Sequence, residues 1–137
     1  MNQDYQGELR LLAQRVAADY ATNPQLEAIL LTGSVAQGIT DIHSDIDLIL
    51  FYRELPTPTA MEALQAAAKA SGGNVYGYIP DEGLACYQFI DGIKVDFAHQ
   101  RTAETDSRIV DFLADPAGAD ATAHIMLSGI VQGQALY

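Results

Sequence analysis

The sequence reads Asp45-Ile46-Asp47-Leu48-Ile49-Leu50-Phe51 near the middle of the chain, so two aspartates one residue apart open an apolar, β-prone run. Side chains alternate between the two faces of a strand, and both carboxylates therefore leave the same face. Side by side they repel each other unless a cation lies between them, and magnesium prefers such carboxylate oxygens. The segment predicts a strand with a metal-binding pair at its start. The alternative is a solvated pair of aspartates on an edge strand.

The residues upstream favour the metal-binding interpretation. Leu30–Ser34 is typical of a buried strand that ends in a glycine turn, and Val35–Gly38 fits one helical turn closed by a glycine. A Gly-Ser turn after a strand can direct backbone N–H groups and a hydroxyl at one point, which is how such turns bind phosphate oxygens. A phosphate site followed by metal-binding carboxylates predicts a site for a nucleoside triphosphate and its metal.

Gly33-Ser34, a spacer of ten residues and then Asp45-Ile46-Asp47 together resemble the signature of the polymerase beta-type nucleotidyltransferase superfamily. Ser44–Leu48 is similar to its small-molecule branch, which includes aminoglycoside nucleotidyltransferases, and to its minimal branch. The match covers Leu30 to Phe51 and extends, with the segment discussed next, to about Phe97. The resemblance implies a magnesium-dependent enzyme with two ions that transfers a nucleoside monophosphate, with AMP from ATP as the leading case, to a hydroxyl of a small-molecule acceptor.

The same resemblance implies roles for individual residues. Gly33 and Ser34 would hold the β- and γ-phosphates, and Asp45 and Asp47 would bind both metal ions. A third carboxylate is expected on a neighbouring strand. Many minimal nucleotidyltransferases carry an arginine where this chain has Gln37, which leaves the metal site unaffected but removes a charge near the expected phosphates.

The segment Tyr87–Phe97 supplies the third carboxylate. Asp91-Gly92 between two β-prone runs predicts a hairpin turn. Ile93, Val95 and Phe97 then alternate with Lys94 and Asp96, so that Asp96 and Lys94 share the face opposite the core. Asp96 is therefore the predicted third metal ligand and the general base that accepts the proton of the attacking hydroxyl. Asp91 is the alternative, but turn formation explains it without a function.

Composition limits the classes of partner. The 137 residues fit one domain, 1–137, and the formal net charge of −11 disfavours nucleic acid as a partner, since nucleic-acid binding depends on basic patches. An acidic surface suits a cationic acceptor. The alternative is that the acidic residues only keep the protein soluble. The sequence has no apolar run near 18 residues and no signal-peptide pattern, so we expect no membrane contact and a cytoplasmic location. Cys86 is the single cysteine, which excludes an internal disulfide and indicates a core thiol.

Periodicity predicts an α/β or α+β domain in which helices pack on a small mixed sheet, the arrangement of the nucleotidyltransferase fold. In Thr57–Ser71, Thr59 and Glu62 have capping-box spacing. The predicted helices span residues 4–20, 34–38, 57–71, 103–114 and 121–132. The predicted strands span residues 26–32, 45–52, 74–79, 84–90 and 93–99.

The apolar end of the sequence, His124–Val131 and then Leu136-Tyr137, leaves three interpretations open. The final helix packs on the sheet of its own chain, the chain forms a homodimer through this end, or the native protein continues into a C-terminal helical domain. Two other functions also remain as alternatives. One is a minimal nucleotidyltransferase of a toxin–antitoxin pair that modifies a partner protein, and the other is an inactive nucleotide-binding module.

Overall fold

The computed structural model describes residues 2–38, 45–115, 117 and 133–137, and this part of the chain forms a mixed α+β domain, as predicted. A six-stranded sheet carries helices that contact its strands. The helices are α1 (Asn2–Tyr20), α2 (Gly33–Gln37), α3 (Pro58–Ala70) and α4 (Thr102–Ala114). The strands are β1 (Leu26–Thr32), β2 (Ile46–Tyr52), β3 (Asn74–Ile79), β4 (Gly83–Ile90), β5 (Ile93–Arg101) and β6 (Gln134–Ala135).

The sheet has the order β3-β4-β5-β2-β1-β6. Strands β2 and β5 pair in parallel, and the other neighbouring pairs are antiparallel. A parallel pair needs a crossover connection, and here the chain passes through α3 and the antiparallel strands β3 and β4 between β2 and β5. This connection brings the Asp-x-Asp strand next to the strand that carries the predicted third acid.

One face of the sheet forms the hydrophobic core. Leu48 and Leu50 of β2 and Val95 and Phe97 of β5 are buried in a single cluster that also includes side chains of α1 and α3. Cys86 of β4 belongs to this cluster, as expected for a core thiol. Because side chains alternate, the residues between them point to the opposite face, and that face carries Asp47 and Asp96.

Several element boundaries differ from the prediction by one or two residues, and the N-cap of α3 was assigned to the wrong threonine. Thr57, not Thr59, precedes the helix, and its Oγ1 accepts a hydrogen bond from the backbone N–H of Ala60 at 3.2 Å. Pro58 then occupies the first turn, where its missing N–H costs no hydrogen bond. A threonine directly before a proline was therefore a stronger signal of the start of the helix than the capping-box spacing.

At the C-terminal end of the sequence, β6 adds a short antiparallel strand to β1, so residues 134–137 contact the sheet of their own chain. The N–H of Leu136 donates to the carbonyl of Ile29 at 2.9 Å, and the side chain of Leu136 packs against the core. The predicted helix 121–132 and the predicted loop with Asp41, His43 and Ser44 lie outside the described residues. None of the described helices is long and apolar enough to cross a membrane.

His99 is a buried ionisable residue on the core face of β5. Its Nδ1 lies 2.8 Å from the hydroxyl of Tyr52, and its ring lies among those of Tyr20, Tyr52 and Phe97. Its Nε2 is buried and has no hydrogen-bond partner among the described residues. Burial lowers the pKa of His99 from 6.5 to about 4, because desolvation disfavours the imidazolium.

This histidine makes the stability of the protein depend on pH. Between pH 6.5 and about 4 the unfolded chain binds a proton that the folded chain does not, so the free energy of unfolding falls as the pH falls through this interval. Because of His99, we expect the free energy of unfolding to be about 2 kcal/mol lower at pH 5 than at pH 7.5. Urea unfolding at both pH values, compared with His99→Gln, measures this contribution. Equal losses in the two proteins would contradict it.

Candidate active site

The three predicted carboxylates lie on one side of the sheet because of the register between β2 and β5. In this parallel pair Asp47 is directly opposite Asp96. Asp45 immediately precedes β2, two residues before Asp47, so its side chain leaves on the same face. The side chain of Asp96 is 20% exposed and that of Asp45 is 38% exposed, so the cluster is accessible from solvent.

The ammonium of Lys94 lies near the carboxylates of both Asp45 and Asp96. Its Nζ lies 3.4 Å from Oδ2 of Asp45 and 3.8 Å from Oδ1 of Asp96. Period-two alternation places Lys94 on the Asp96 face, as the sequence predicted, but its contact with Asp45 depends on the pairing of strands distant in sequence. The ammonium therefore lies between carboxylates of two strands.

Two tyrosines complete the surroundings of this ammonium. Tyr87 is paired with Asp96 across β4 and β5, and the Nζ of Lys94 lies 4.8 Å from the centroid of its ring. Tyr76 donates a hydrogen bond from its hydroxyl to Oδ1 of Asp96 at 2.5 Å, and its ring centroid lies 5.9 Å from the same Nζ. These distances allow cation–π attraction. Sequence reasoning missed the role of Tyr76, because only the irregular pairing of β3 near Val75 and Gly77 shows where this residue lies.

Gly33 and Asp47 are in close contact at the start of α2. Thr32, the last residue of β1, is paired with Asp47, and Gly33 follows with a φ of +74°. A Cβ added at Gly33 would lie 2.4 Å from Oδ2 of Asp47. Only glycine therefore suits this position, for reasons of both conformation and space. The half-buried Ser34 comes next, in the first turn of α2.

Side chains of α1 donate hydrogen bonds to backbone carbonyls of α2. The amide nitrogen of Gln6 donates to the carbonyl of Val35 at 2.7 Å, and Arg10 donates to the carbonyls of Val35 and Ala36, each at 3.3 Å. A five-residue helix has too few internal hydrogen bonds to be stable alone, so these contacts fix its position relative to the carboxylates. No pattern along the sequence predicted these contacts, since Arg10 and Val35 are 25 residues apart.

The repulsion within the carboxylate cluster is visible in the pKa of Asp47. Burial, followed by the charges of Asp96 and Asp45, raises the pKa of Asp47 from 3.8 to about 7. A hydrogen bond with Asp96 adds to this effect, whereas Lys94 opposes it. A hydrogen bond between two carboxyl groups requires one of them to carry a proton. Near neutral pH, Lys94 alone therefore does not offset the repulsion among these carboxylates.

The donor atoms of this cluster are carboxylate oxygens, which are the ligands that magnesium prefers. Within the described residues, however, no group of three or more His, Cys, Asp or Glu side chains has the arrangement of a metal site. Lys94 gives the physical reason, since Asp45 and Asp96 are both directed at its ammonium. The carboxylate oxygens fit magnesium chemically, but these side chains would have to rearrange to hold an ion together.

A groove of about 850 Å³ lies on the same face of the sheet, beyond Asp96 along β5. Its floor consists of small residues on three neighbouring strands, namely Gly77, Gly83, Ala85 and Ala98. Ala98 follows Asp96 by two residues on the same face, a spacing of about 7 Å along the strand. The first turns of α4 form one wall, where Arg101 and Glu104 pair at 2.6 Å.

No protein-family model matches the chain, and no curated protein shows significant sequence similarity to it.

Proposed function

We propose that this protein is a magnesium-dependent nucleotidyltransferase that transfers a nucleoside monophosphate, AMP from ATP as the leading case, to a hydroxyl group of a small-molecule acceptor. The observation that carries the proposal is the parallel pairing of Asp47 with Asp96, with Asp45 on the same face. The Gly33-Ser34 turn next to Asp47 supports it, because a phosphate site and a metal site have to be adjacent to bind a metal–triphosphate complex.

In the proposed reaction the acceptor oxygen forms a bond to the α-phosphorus, the bond between the α-phosphorus and its bridging oxygen breaks, and pyrophosphate leaves. Asp96 takes the proton of the acceptor hydroxyl. Asp45, Asp47 and Asp96 would hold two magnesium ions, which when bound supply charge neutralisation for the phosphoryl oxygens. Gly33 and Ser34 would bind the β- and γ-phosphates, so that the α-phosphorus faces Asp96.

The groove beside Asp96 supports a small-molecule acceptor. Its volume of about 850 Å³ suits a ligand of moderate size, and its small-residue floor lies on the same face of β5 as Asp96. The net charge of −11 argues against a nucleic-acid strand as the acceptor.

Filling the groove is expected to block the acceptor selectively. In Ala98→Phe the larger side chain projects from the floor, so we expect the KM for the acceptor to rise about tenfold or more, as for the loss of 1–2 kcal/mol of binding, while the KM for ATP stays unchanged. Ala67→Phe adds the same side chain at an exposed position of α3 and serves as the control. Equal acceptor kinetics in the two variants would show that the acceptor binds elsewhere.

The direct test uses ATP labelled in its α-phosphate, with magnesium, against a panel of hydroxylated small molecules that includes aminoglycosides, sugars and nucleosides. We expect label on at least one of them with the wild-type protein and none with Asp47→Asn. A cell extract in a parallel reaction tests the alternative, since label on a protein band would favour modification of a partner protein. Binding of ATP without label on any acceptor would favour an inactive module.

A further inference from the structure

The ammonium of Lys94 contacts the carboxylates of the cluster as a free cation would. Its Nζ lies 3.4 Å and 3.8 Å from carboxylate oxygens of Asp45 and Asp96, and 4.8 Å from the ring centroid of Tyr87. An ion pair committed to one partner has a nitrogen–oxygen distance of about 2.7–2.9 Å. The longer distances indicate that several groups share the ammonium, which donates a long hydrogen bond to Asp45 and also interacts with Tyr76.

The side chain is also able to leave this position. Lys94 is 31% exposed, and a lysine ammonium sits on a flexible stem of four carbons. Each partly exposed ion pair contributes only about 0–1 kcal/mol, so neither carboxylate by itself holds the ammonium strongly. A divalent cation with the same carboxylates gains more Coulomb energy, because its charge is twice as large.

We propose that Lys94 is a tethered cation that competes with the metal ion for Asp45 and Asp96, and that binding of the metal–nucleotide complex moves its ammonium from the carboxylates to the triphosphate. The inference rests on the proposed function and adds a positioning role to it. Without ligands Lys94 reduces the repulsion within the carboxylate cluster. With the metal–nucleotide complex bound, the negatively charged triphosphate would offer contacts that replace those lost at the carboxylates.

This role predicts opposite changes in two affinities, which a purely structural role does not. Lys94→Met removes the competitor, so we expect Mn²⁺ alone to bind about tenfold or more tightly than to the wild type. The same variant loses the phosphate contact, so Mn²⁺ with α,β-methylene-ATP should bind about tenfold or more weakly. Lys94→Arg keeps the charge and should resemble the wild type in both measurements.

Electron paramagnetic resonance measures the binding of Mn²⁺, and calorimetry measures the binding of the nucleotide analogue. Lys69→Met, at an exposed position near the end of α3, controls for the loss of a positive charge elsewhere. Asp47→Asn shows whether the observed Mn²⁺ is bound at the carboxylate cluster. Lys94→Gln replaces the methionine variant if circular dichroism shows that the latter does not fold.

The outcomes separate this inference from the proposed function. Tighter Mn²⁺ binding together with weaker nucleotide binding supports the role of Lys94. Equal Mn²⁺ affinity in wild type and Lys94→Met, with binding lost in Asp47→Asn, overturns the role of Lys94 and leaves the metal site intact. Absence of Mn²⁺ binding in every variant overturns the inference together with the metal site of the proposed function.

Discussion

Asp96→Asn is expected to lower the rate of nucleotidyl transfer about a thousandfold or more, which corresponds to about 4 kcal/mol of activation free energy. The amide cannot accept the proton of the acceptor hydroxyl, and it is a weaker ligand for magnesium than a carboxylate. A transfer assay with ATP labelled in its α-phosphate measures the loss at saturating magnesium.

Asp91→Asn is the matched control for this variant. Asp91 belongs to the hairpin turn that leads into β5, and its carboxylate is exposed and paired with Arg15 at 2.5 Å. We expect this variant to retain its activity. Loss of activity in Asp91→Asn with retention in Asp96→Asn would reverse the assignment of the third acid.

The Asp96→Asn variant is also expected to fold. The asparagine oxygen can still accept the hydrogen bond of Tyr76, and removal of one negative charge relieves repulsion of Asp47. The free energy of unfolding should therefore remain unchanged or rise, as is common when a charged functional group is neutralised. Denaturant unfolding checks this, and unaltered stability would separate a catalytic defect from a folding defect.

Gly33→Ala is expected to reduce both stability and activity. The positive φ of Gly33 costs an alanine about 1–2 kcal/mol, and its Cβ would lie 2.4 Å from Oδ2 of Asp47. Asp47 then has to rotate away from Asp96. We expect the free energy of unfolding to fall by about 2–3 kcal/mol and transfer to fall about a hundredfold or more, because the carboxylates no longer converge. Denaturant unfolding and the transfer assay measure the two effects.

Gly38→Ala is the matched control, because Gly38 has the same φ of +74° but no atom within 4 Å of an added Cβ. It should show only the conformational cost and retain its activity. Combining Gly33→Ala with Asp47→Ala removes the clash, so the stability loss caused by Gly33→Ala should shrink to that of Gly38→Ala. Equal losses in both single variants would show that the contact between Gly33 and Asp47 is unimportant.

The sequence predicted those parts of the site that depend on local alternation. The period of two in β5 correctly put Lys94 and Asp96 on the face opposite Val95 and Phe97, whose burial confirms the pattern. The Asp91-Gly92 turn was also predicted from the sequence. It is confirmed, since both residues have the positive φ typical of such hairpins. Local steric preferences were sufficient for these features.

The remaining parts of the site depend on contacts between distant segments. The parallel register of β2 and β5 decides that Asp47 faces Asp96, and alternation within either strand does not determine it. The hydrogen bond of Tyr76 to Asp96 crosses from β3 past β4, and that of Arg10 to α2 joins two helices. Tertiary packing sets these contacts, so a pattern read along the chain misses them.

A crystal structure with Mn²⁺ and α,β-methylene-ATP, recorded at the manganese absorption edge, tests the central claim most directly. The account predicts anomalous density between the carboxylates of Asp45, Asp47 and Asp96, with the triphosphate beside Gly33 and Ser34. Manganese and nucleotide bound away from these residues, with Lys94 still between Asp45 and Asp96, would contradict it.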